Sequence, residues 1–451
     1  MSKNLKGYRG NAKKLLEKKN LKIWDILQIK TKKTEYQGIL LPRNEYSDEK
    51  FIEIKLENNY NVGIHYNDIS EIKKIGEKEA HYKIPEKKFP KSKDLPEITL
   101  LGTGGTVASR LDYTTGAVIP AFTPGELFSA VPELAEICNL ETEILFKMLS
   151  ENMKPDVWQT LAKKVETLAH SGKEGIIIAH GTDTMGYTSA ALSFMLQNLS
   201  IPVVLVGSQR SSDRPSSDAA INLINAATVA TSDIAEVVVV MLGSSSHEYG
   251  LIHKGTLVRK MHTSYRNTFR TIDDIPMGLV KSRTIRMLKE NYRTKKSQSS
   301  KKTTKALTNF EDKIGMIYSY PGLTNEELNF YIDKGYKGIV IMGTGLGHVN
   351  TRVFDSIKRG IEEDILFIMT SQTLHGFIGM NVYSTGRELL DLGVIPAHNL
   401  IPETAYVKLG WVLGNSDSLQ EAKQLFLTNI ADEFLEREVP IAFNYDIEDL
   451  L

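Results

Sequence analysis

A glycine-rich turn carrying two threonine hydroxyls follows the first strongly apolar run of the chain. Residues 98–101 lead directly into Gly102-Thr103-Gly104-Gly105-Thr106. Glycines let a backbone approach a ligand closely, and a hydroxyl at the end of a strand is presented to whatever binds there. Such a threonine can act as a nucleophile. The alternative is a tight turn or a phosphate loop, but neither nucleotide-binding glycine pattern is completed here, which disfavours nucleotide binding.

A second polar turn follows another buried run. Residues 175–179 are continuously apolar, and His180-Gly181-Thr182-Asp183-Thr184 comes next. Asp183 or Thr184 can be explained as a helix cap, because both residue types accept the first free N–H groups of a helix. Capping does not explain the whole polar cluster at the place where an α/β sheet puts its ligands. We assign no proton-transfer role to His180, since a core histidine with satisfied hydrogen bonds would fit equally well.

A lysine is the third candidate. Lys260 lies in the run 255–263, which follows a predicted strand and loop over 237–250. Most lysines are exposed surface charges, and spacing alone does not separate Lys260 from them. An alcohol is a poor nucleophile at its ordinary pKa, so a reacting threonine needs a nearby base. A lysine can serve when burial or a neighbouring charge lowers its own pKa.

The elements that carry these residues alternate between β-branched runs and helical patterns. Strands are predicted at 98–101, 175–179, 202–206 and 237–242, and helices at 156–170, 185–196 and 216–231. This alternation predicts a parallel sheet covered by helices on both faces, with ligands beyond the carboxyl ends of the strands. A second region of the same type has predicted strands at 314–318, 338–342 and 366–369. The fold class is therefore α/β, in two parts.

The part of the chain before residue 98 has a different pattern. Short alternating runs between 21 and 77, separated by turn residues, predict a small antiparallel β-barrel. The predicted domains are 1–78, the barrel with a basic leader; 79–97, a linker rich in lysine and proline; 98–288, the first α/β part; 289–312, a basic polar insertion; and 313–451, the second α/β part.

The composition restricts the cellular setting. Lysine plus arginine and aspartate plus glutamate number 55 each in 451 residues, so the overall charge gives no support to wholesale binding of nucleic acid or membrane. Cys138 is the only cysteine, which excludes internal disulfides and cysteine-based zinc sites. The charged N-terminus lacks the apolar core of a secretory signal, and no run is long enough to cross a bilayer. We expect a cytoplasmic protein without membrane contact.

Taken in order, GTGGT, HGTDT and the later lysine closely resemble the motifs of the L-asparaginase/glutaminase family. The run 110–116, which contains Tyr113, is similar to the mobile active-site loop of that family. Ser150-Glu151-Asn152-Met153 is similar to its segment that binds the substrate carboxylate. The likeness extends from residue 98 to the C-terminus. It implies the hydrolysis of a side-chain amide by a threonine nucleophile.

The same resemblance implies residue roles. The implied catalytic residues are Thr103, Tyr113, Thr182, Asp183 and Lys260, and the implied substrate-binding residues are Ser150, Glu151, Gly102 and Gly181. Thr103 and Tyr113 would form one group, and Thr182, Asp183 and Lys260 the other. N–H groups of the glycine turns would stabilise the oxyanion formed by attack on the amide carbon. Thr103 is our preferred nucleophile and Thr182 its rival. Glu151 departs from the glutamine of many family members and would add negative charge near a substrate ammonium.

Two segments of the N-terminal part, 36–43 and 55–64, look like the first domain of the D subunits of archaeal glutamyl-tRNA(Gln) amidotransferases, and 380–387 points the same way. This resemblance implies that the chain releases ammonia from glutamine, with asparagine as an alternative substrate. A partner, the amidotransferase E subunit, would use ATP and Mg²⁺ to convert Glu-tRNA(Gln) to Gln-tRNA(Gln). The resemblance also implies no metal or cofactor in this chain, tRNA contacts mainly through the partner, and a homodimer within a heterotetramer.

Two alternatives stay open on the sequence. One is a free-standing cytosolic asparaginase or glutaminase whose N-terminal module only aids solubility or assembly. The other is a non-catalytic scaffold or RNA-binding module, in which the threonines are structural and the lysine-rich stretches bind RNA with a steep dependence on salt.

Overall fold

The fold is described from a computed structural model that covers residues 5, 7–43, 47–58, 60–77, 91–104, 109–112, 117–120, 131–211, 216–299 and 303–443. Among these residues, no helix has both the length and the apolar character needed to span a bilayer.

The N-terminal part is an antiparallel β module with one helix packed on it. Its elements are α1 (Gly10–Lys18), β1 (Asp25–Thr31), β2 (Glu35–Leu40), β3 (Phe51–Leu56), β4 (Asn61–His65) and β5 (Ile69–Glu77). The strands pair antiparallel in the order β4-β3-β2-β1-β5, which confirms the predicted antiparallel module. The helix in the basic leader and β5 were not predicted. Ile72 is the one buried side chain of β5, so that strand has a weak apolar signal.

The first α/β part is built on an eight-stranded sheet. Its strands, small ladders included, are β6 (Glu97–Gly104), β7 (Ser109–Asp112), β8 (Ala117–Pro120), β9 (Asn139–Met148), β10 (Gly175–Ala179), β11 (Leu196–Gln197), β12 (Val203–Val206), β13 (Val237–Leu242), β14 (Gly250–Lys254), β15 (Val258–Lys260), β16 (Phe269–Thr271), β17 (Gly278–Lys281) and β18 (Thr284–Met287). Its helices are α2 (Pro155–His170), α3 (Met185–Met195) and α4 (Ala219–Ala230). The main sheet has the order β18-β17-β14-β13-β12-β10-β6-β9.

The five strands from β13 to β9 in that order run parallel, which confirms the predicted parallel sheet; β9 itself was not predicted as a strand. Strands β14, β17 and β18 extend the sheet in the antiparallel sense, which the sequence patterns did not predict. Successive side chains of a strand point to opposite faces. Accordingly, Ile176 and Ile178 pack in the core beneath α2 and α3, whereas Ile177 and Ala179 pack with α4. Helices therefore cover both faces of the parallel half.

The second α/β part begins after a short connection. Its elements, with that connection, are α5 (Lys295–Ser299), β19 (Lys305–Ala306), β20 (Ile314–Tyr318), α6 (Asn325–Asp333), β21 (Gly338–Gly343), α7 (Phe354–Glu362), β22 (Leu366–Ser371), α8 (Ser384–Leu392), β23 (Ile395–Pro396), α9 (Pro402–Gly414) and α10 (Leu419–Leu427). Strands β20 to β23 form a four-stranded parallel sheet in sequence order. This sheet confirms the second βα region.

One continuous core joins the two α/β parts. It contains Ile178 and Phe194 from the first part together with Val340, Leu409 and Trp411 from the second. The connection is tied to this core: β19 pairs with β11, and Trp411 Nε1 donates a hydrogen bond of 2.8 Å to the carbonyl of Leu307. Helix α9 can therefore position residues of the first part. The domain limits at 78, 97, 288 and 312 stay predictions.

Candidate active site

The two glycine turns leave the same edge of the sheet from neighbouring strands. Strands β6 and β10 are parallel partners, with Gly102 opposite Ala179. Neighbouring strands lie roughly 5 Å apart, so residues just beyond these partners are close in space. Thr103 Oγ1 donates a hydrogen bond of 2.9 Å to the carbonyl of Ala179, and its side chain is buried. The turn that contains Thr103 thus lies against the carboxyl end of β10, which leads into the turn that contains Thr182.

Lys260 contacts the turn that contains Thr182 from a separate pair of strands, β15 and β16. Lys260 ends β15, which pairs antiparallel with β16. Its Nζ donates hydrogen bonds to Thr182 Oγ1 at 2.9 Å and to Asp183 Oδ1 at 2.7 Å. The Lys260 side chain is only 14% exposed, whereas that of Asp183 is 68% exposed. Lys260 is therefore not a solvated surface lysine, because its amine is held against a threonine hydroxyl and a carboxylate.

The two candidate threonines have different partners. Thr182 has the lysine amine on its hydroxyl, whereas the hydroxyl of Thr103 donates to a main-chain carbonyl. Tyr113, which the sequence resemblance groups with Thr103, lies outside the described residues. Within the described part of the chain, the lysine amine thus contacts the hydroxyl of Thr182 and not that of Thr103.

The implied substrate-binding turn adjoins the same site. Ser150 and Glu151 lie in a short 3₁₀ turn after β9; Ser150 is buried and Glu151 is exposed. Thr184 Oγ1 donates a hydrogen bond of 2.8 Å to the Ser150 carbonyl. A Cβ added to Gly181 would lie 2.6 Å from Ser150 Cβ, so only glycine fits there without displacing the serine. The serine turn and the HGT turn are therefore in direct contact.

The first glycine turn also contains a position that only glycine can occupy, and this position is Gly104 rather than Gly102. A Cβ on Gly102 would make an ordinary contact of 3.6 Å with Ile144. Gly104 instead has φ +119° and would place a Cβ 2.0 Å from the carbonyl oxygen of Met148. The left-handed φ and the close backbone approach both need glycine at this position.

A cavity of about 320 Å³ opens beside the lysine and contains residues that sequence reasoning missed. Its polar lining includes Asp183, Tyr187, Arg259, Lys260, His262 and Glu403. Arg259 Nη1 lies 2.6 Å from Glu403 Oε1, which ties β15 to α9. Burial raises the pKa of Tyr187 to about 12, so its hydroxyl keeps its proton at neutral pH. Glu403 lies far along the chain, and no local pattern signals this contact.

Family models match three stretches of the chain. A model described as GatD N-terminal domain matches residues 21–75. The model Asparaginase, N-terminal matches residues 97–293, and the model Glutaminase/Asparaginase C-terminal domain matches residues 313–426. Together they span most of the two α/β parts and the β module.

Two relatives are similar to this protein over almost its whole length. The D subunit of glutamyl-tRNA(Gln) amidotransferase from Pyrococcus furiosus is 50% identical over 96% of this chain and 99% of its own length. The protein of the same name from Methanobrevibacter smithii is 46% identical, over 95% and 98% respectively. Among solved structures, the thermostable L-asparaginase from Thermococcus kodakarensis is similar with a TM-score of 0.67 and 30% identity, covering 75% of this chain and 99% of its own.

Proposed function

Because the chain belongs to the family of glutamyl-tRNA(Gln) amidotransferase D subunits, we propose that it hydrolyses the side-chain amide of glutamine and supplies the ammonia to a tRNA-dependent amidation. The observation that carries the proposal is the contact of Lys260 Nζ with Thr182 Oγ1 and Asp183 Oδ1, where two glycine-rich strand ends meet. This arrangement brings a hydroxyl, an amine and a carboxylate to one place. That combination suits nucleophilic attack on an amide.

The reaction would proceed in two steps. A threonine oxygen of one of the two turns, Thr103 or Thr182, attacks the amide carbon while its proton passes to a nearby base; Lys260 is the amine in contact with Thr182. N–H groups of the turns at Gly102 and Gly181 stabilise the oxyanion. The C–N bond breaks, the leaving nitrogen takes a proton and departs as ammonia, and an acyl ester remains. Water then cleaves the ester, which gives glutamate and restores the hydroxyl.

Substrate recognition would use the turn after β9. The hydroxyl and backbone of Ser150 would bind the free carboxylate of the amino acid, and Glu151 would face its ammonium. Glu151 is exposed and Ser150 is buried beside Gly181, which is consistent with a substrate whose charged end lies toward solvent. Tyr113 would complete the group around Thr103. Asparagine is the alternative amide in the same pocket.

The assembly is part of the same proposal and is supported by the names of the relatives. A partner, the amidotransferase E subunit, would bind ATP and Mg²⁺, contact most of the Glu-tRNA(Gln) and capture the ammonia to form Gln-tRNA(Gln). This chain would need no metal or cofactor of its own. It would form a homodimer within a heterotetramer and work in the cytoplasm.

A second candidate function is that of a free-standing L-asparaginase or glutaminase. It is favoured by the likeness of both α/β parts to the L-asparaginase from Thermococcus kodakarensis. Ammonia release from glutamine and from asparagine separates the two candidates. The amidotransferase proposal predicts efficient release from glutamine when the E subunit, ATP and Glu-tRNA(Gln) are present, with Gln-tRNA formed in step. Full activity of the purified chain alone, unchanged by those additions, would favour the second candidate.

A threonine variant tests the site in the same assay. Thr182→Val removes the hydroxyl that contacts Lys260 and should abolish ammonia release. Thr228→Val is a matched control, because both threonines are 8% exposed and the hydroxyl of Thr228 donates to the carbonyl of Ile224 within α4, away from the lysine. Equal activity of the two variants would contradict the proposed role of Thr182.

A further inference from the structure

A fully buried histidine lies directly behind the second threonine turn. His180 Nδ1 is 2.6 Å from the carbonyl oxygen of Gly181, and its Nε2 is 2.8 Å from Thr188 Oγ1. A carbonyl only accepts hydrogen bonds, so Nδ1 must carry the proton and Nε2 must be the acceptor. Because the side chain is 0% exposed, water does not compete for either nitrogen.

The neighbours of Thr188 are consistent with the same proton arrangement. Trp158 Nε1, which can only donate, gives a hydrogen bond of 3.0 Å to Thr188 Oγ1. This bond occupies one lone pair of Oγ1 and leaves the hydroxyl proton of Thr188 free to be donated to His180 Nε2. Burial lowers the pKa of His180 to about 4, so the ring is neutral at neutral pH and has the one donor and one acceptor that this chain of bonds requires. The Gly181 carbonyl thus determines which nitrogen of His180 donates, and the hydrogen bonds of Thr188 are consistent with that assignment.

This hydrogen bond determines the orientation of the Gly181–Thr182 peptide. The peptide is trans, since the described residues contain no cis peptide bond. In a planar trans peptide the C=O and N–H point in opposite directions. With its carbonyl held by the imidazole, the peptide directs the Thr182 N–H away from His180. No acceptor in the described part of the chain takes this N–H, although Thr182 is buried and its hydroxyl contacts Lys260.

The backbone at Gly181 would not hold that orientation by itself. Glycine has access to backbone conformations that other residues avoid, so a peptide next to glycine can rotate at low cost. The bond from His180 removes this freedom at the residue that joins the histidine to the candidate threonine. An unpaired N–H with a fixed direction is the kind of donor that stabilises an oxyanion.

We propose that His180 is a positioning residue, whose Nδ1–H holds the Gly181 carbonyl so that the Thr182 N–H is presented to the amide oxygen of the substrate as it becomes an oxyanion. This inference rests on the proposed amide hydrolysis. His180 takes up no proton in the reaction. It acts only through the backbone.

Two substitutions at His180 separate the positioning role from a general structural one. The side-chain amide N–H of His180→Asn can replace Nδ1–H, whereas His180→Leu has no donor. Removal of one oxyanion donor typically lowers kcat about 100-fold to 1,000-fold, and misdirecting it should cost between about tenfold and 100-fold. We expect His180→Leu to lower kcat for glutamine by that amount with KM changed less than about twofold. His180→Asn should recover most of the loss.

His253 provides the matched control. It is also 0% exposed and bonded to a threonine, with Nδ1 2.8 Å from Thr271 Oγ1. His253→Leu should lower the melting temperature but leave kcat unchanged. The positioning role would be overturned by an unchanged kcat in folded His180→Leu, by equal losses in the leucine and asparagine variants, or by a loss confined to KM. If His180→Leu does not fold, Thr188→Val frees Nε2, and a smaller drop in kcat is expected from it.

Crystal structures of the His180 variants give a readout that does not depend on activity. The inference predicts a rotated Gly181–Thr182 peptide in His180→Leu, or in Thr188→Val if the former does not fold, and the original orientation in His180→Asn. The original orientation in all variants would overturn it. Failure of the unmodified enzyme to release ammonia would instead contradict the proposed function, so the two failures are distinguishable.

Discussion

Replacing Lys260 with methionine should remove activity while leaving stability almost unchanged. The amine contacts Thr182 Oγ1 at 2.9 Å and Asp183 Oδ1 at 2.7 Å, so the variant loses the group that the proposed mechanism uses as the base on Thr182. A positioned base contributes about 100-fold to 10,000-fold to a rate, which corresponds to about 3–5 kcal/mol of activation free energy. We therefore expect kcat for ammonia release from glutamine to fall by at least about 100-fold.

The effect on folding is expected to be much smaller. The carboxylate of Asp183 is 68% exposed, and exposed ion pairs contribute about 0–1 kcal/mol to stability. Methionine also keeps most of the aliphatic stem of Lys260. The free energy of unfolding, measured by urea denaturation, should therefore change by less than about 1 kcal/mol. Loss of activity and loss of stability are thereby separated in one variant.

Lys173→Met is the matched control for Lys260→Met. Lys173 is also 14% exposed and pairs with two carboxylates, Glu97 at 3.3 Å and Glu141 at 2.8 Å. It precedes the amino end of β10, whereas the threonine turns follow the carboxyl ends of the strands. Lys173→Met should keep the unmodified kcat. A Lys260→Met enzyme within tenfold of the unmodified kcat, or an equal loss in Lys173→Met, would refute the reasoning.

Two further predictions concern the turn glycine and the buried histidines. Gly181→Ala should lower ammonia release, because the added Cβ would lie 2.6 Å from Ser150 Cβ and displace the serine turn. The control Gly63→Ala should not, because its Cβ would make only ordinary contacts. Equal activity of the two variants would contradict the packing of the serine turn on the site. Burial lowers the pKa of His180 to about 4 and of His253 to about 3 in the folded chain. As the pH falls below 6.5, the unfolded chain therefore takes up protons on these histidines before the folded chain does. The free energy of unfolding should therefore fall between pH 6.5 and about 4 by about 1.4 kcal/mol per pH unit for each histidine. In His253→Leu, the fall of the free energy of unfolding per pH unit, measured by urea denaturation at each pH, should be smaller by the contribution of one histidine. An unreduced pH dependence would contradict the lowered pKa of His253.

The strand ends were predictable because their signals are local. An apolar run followed by glycine and threonine marks the end of a buried strand, and a parallel sheet brings such ends to one edge. The contact of Thr103 with the Ala179 carbonyl is consistent with that reasoning. Lys260 was predictable only through family resemblance, since no local pattern distinguishes a lysine that reaches a distant turn from a solvated one.

The remaining features depend on contacts between distant parts of the chain. The ion pair of Arg259 with Glu403 joins a strand of the first α/β part to a helix of the second. The antiparallel extension of the sheet by β14, β17 and β18 depends on pairing, which the apolar pattern of a single strand does not specify. His180 gave a signal that could be read as either core or catalytic. Its hydrogen bonds to Gly181 and Thr188 indicate a third role, that of holding a peptide in place.

Covalent trapping tests the central claim most directly. The chain, with its amidotransferase partner and Glu-tRNA(Gln), is mixed with glutamine, quenched in acid and analysed by peptide mass spectrometry. The account predicts a glutamyl ester on the peptide that contains Thr103 or on the peptide that contains Thr182, and none in Lys260→Met. Rapid ammonia release from glutamine with no ester on either threonine peptide would contradict it.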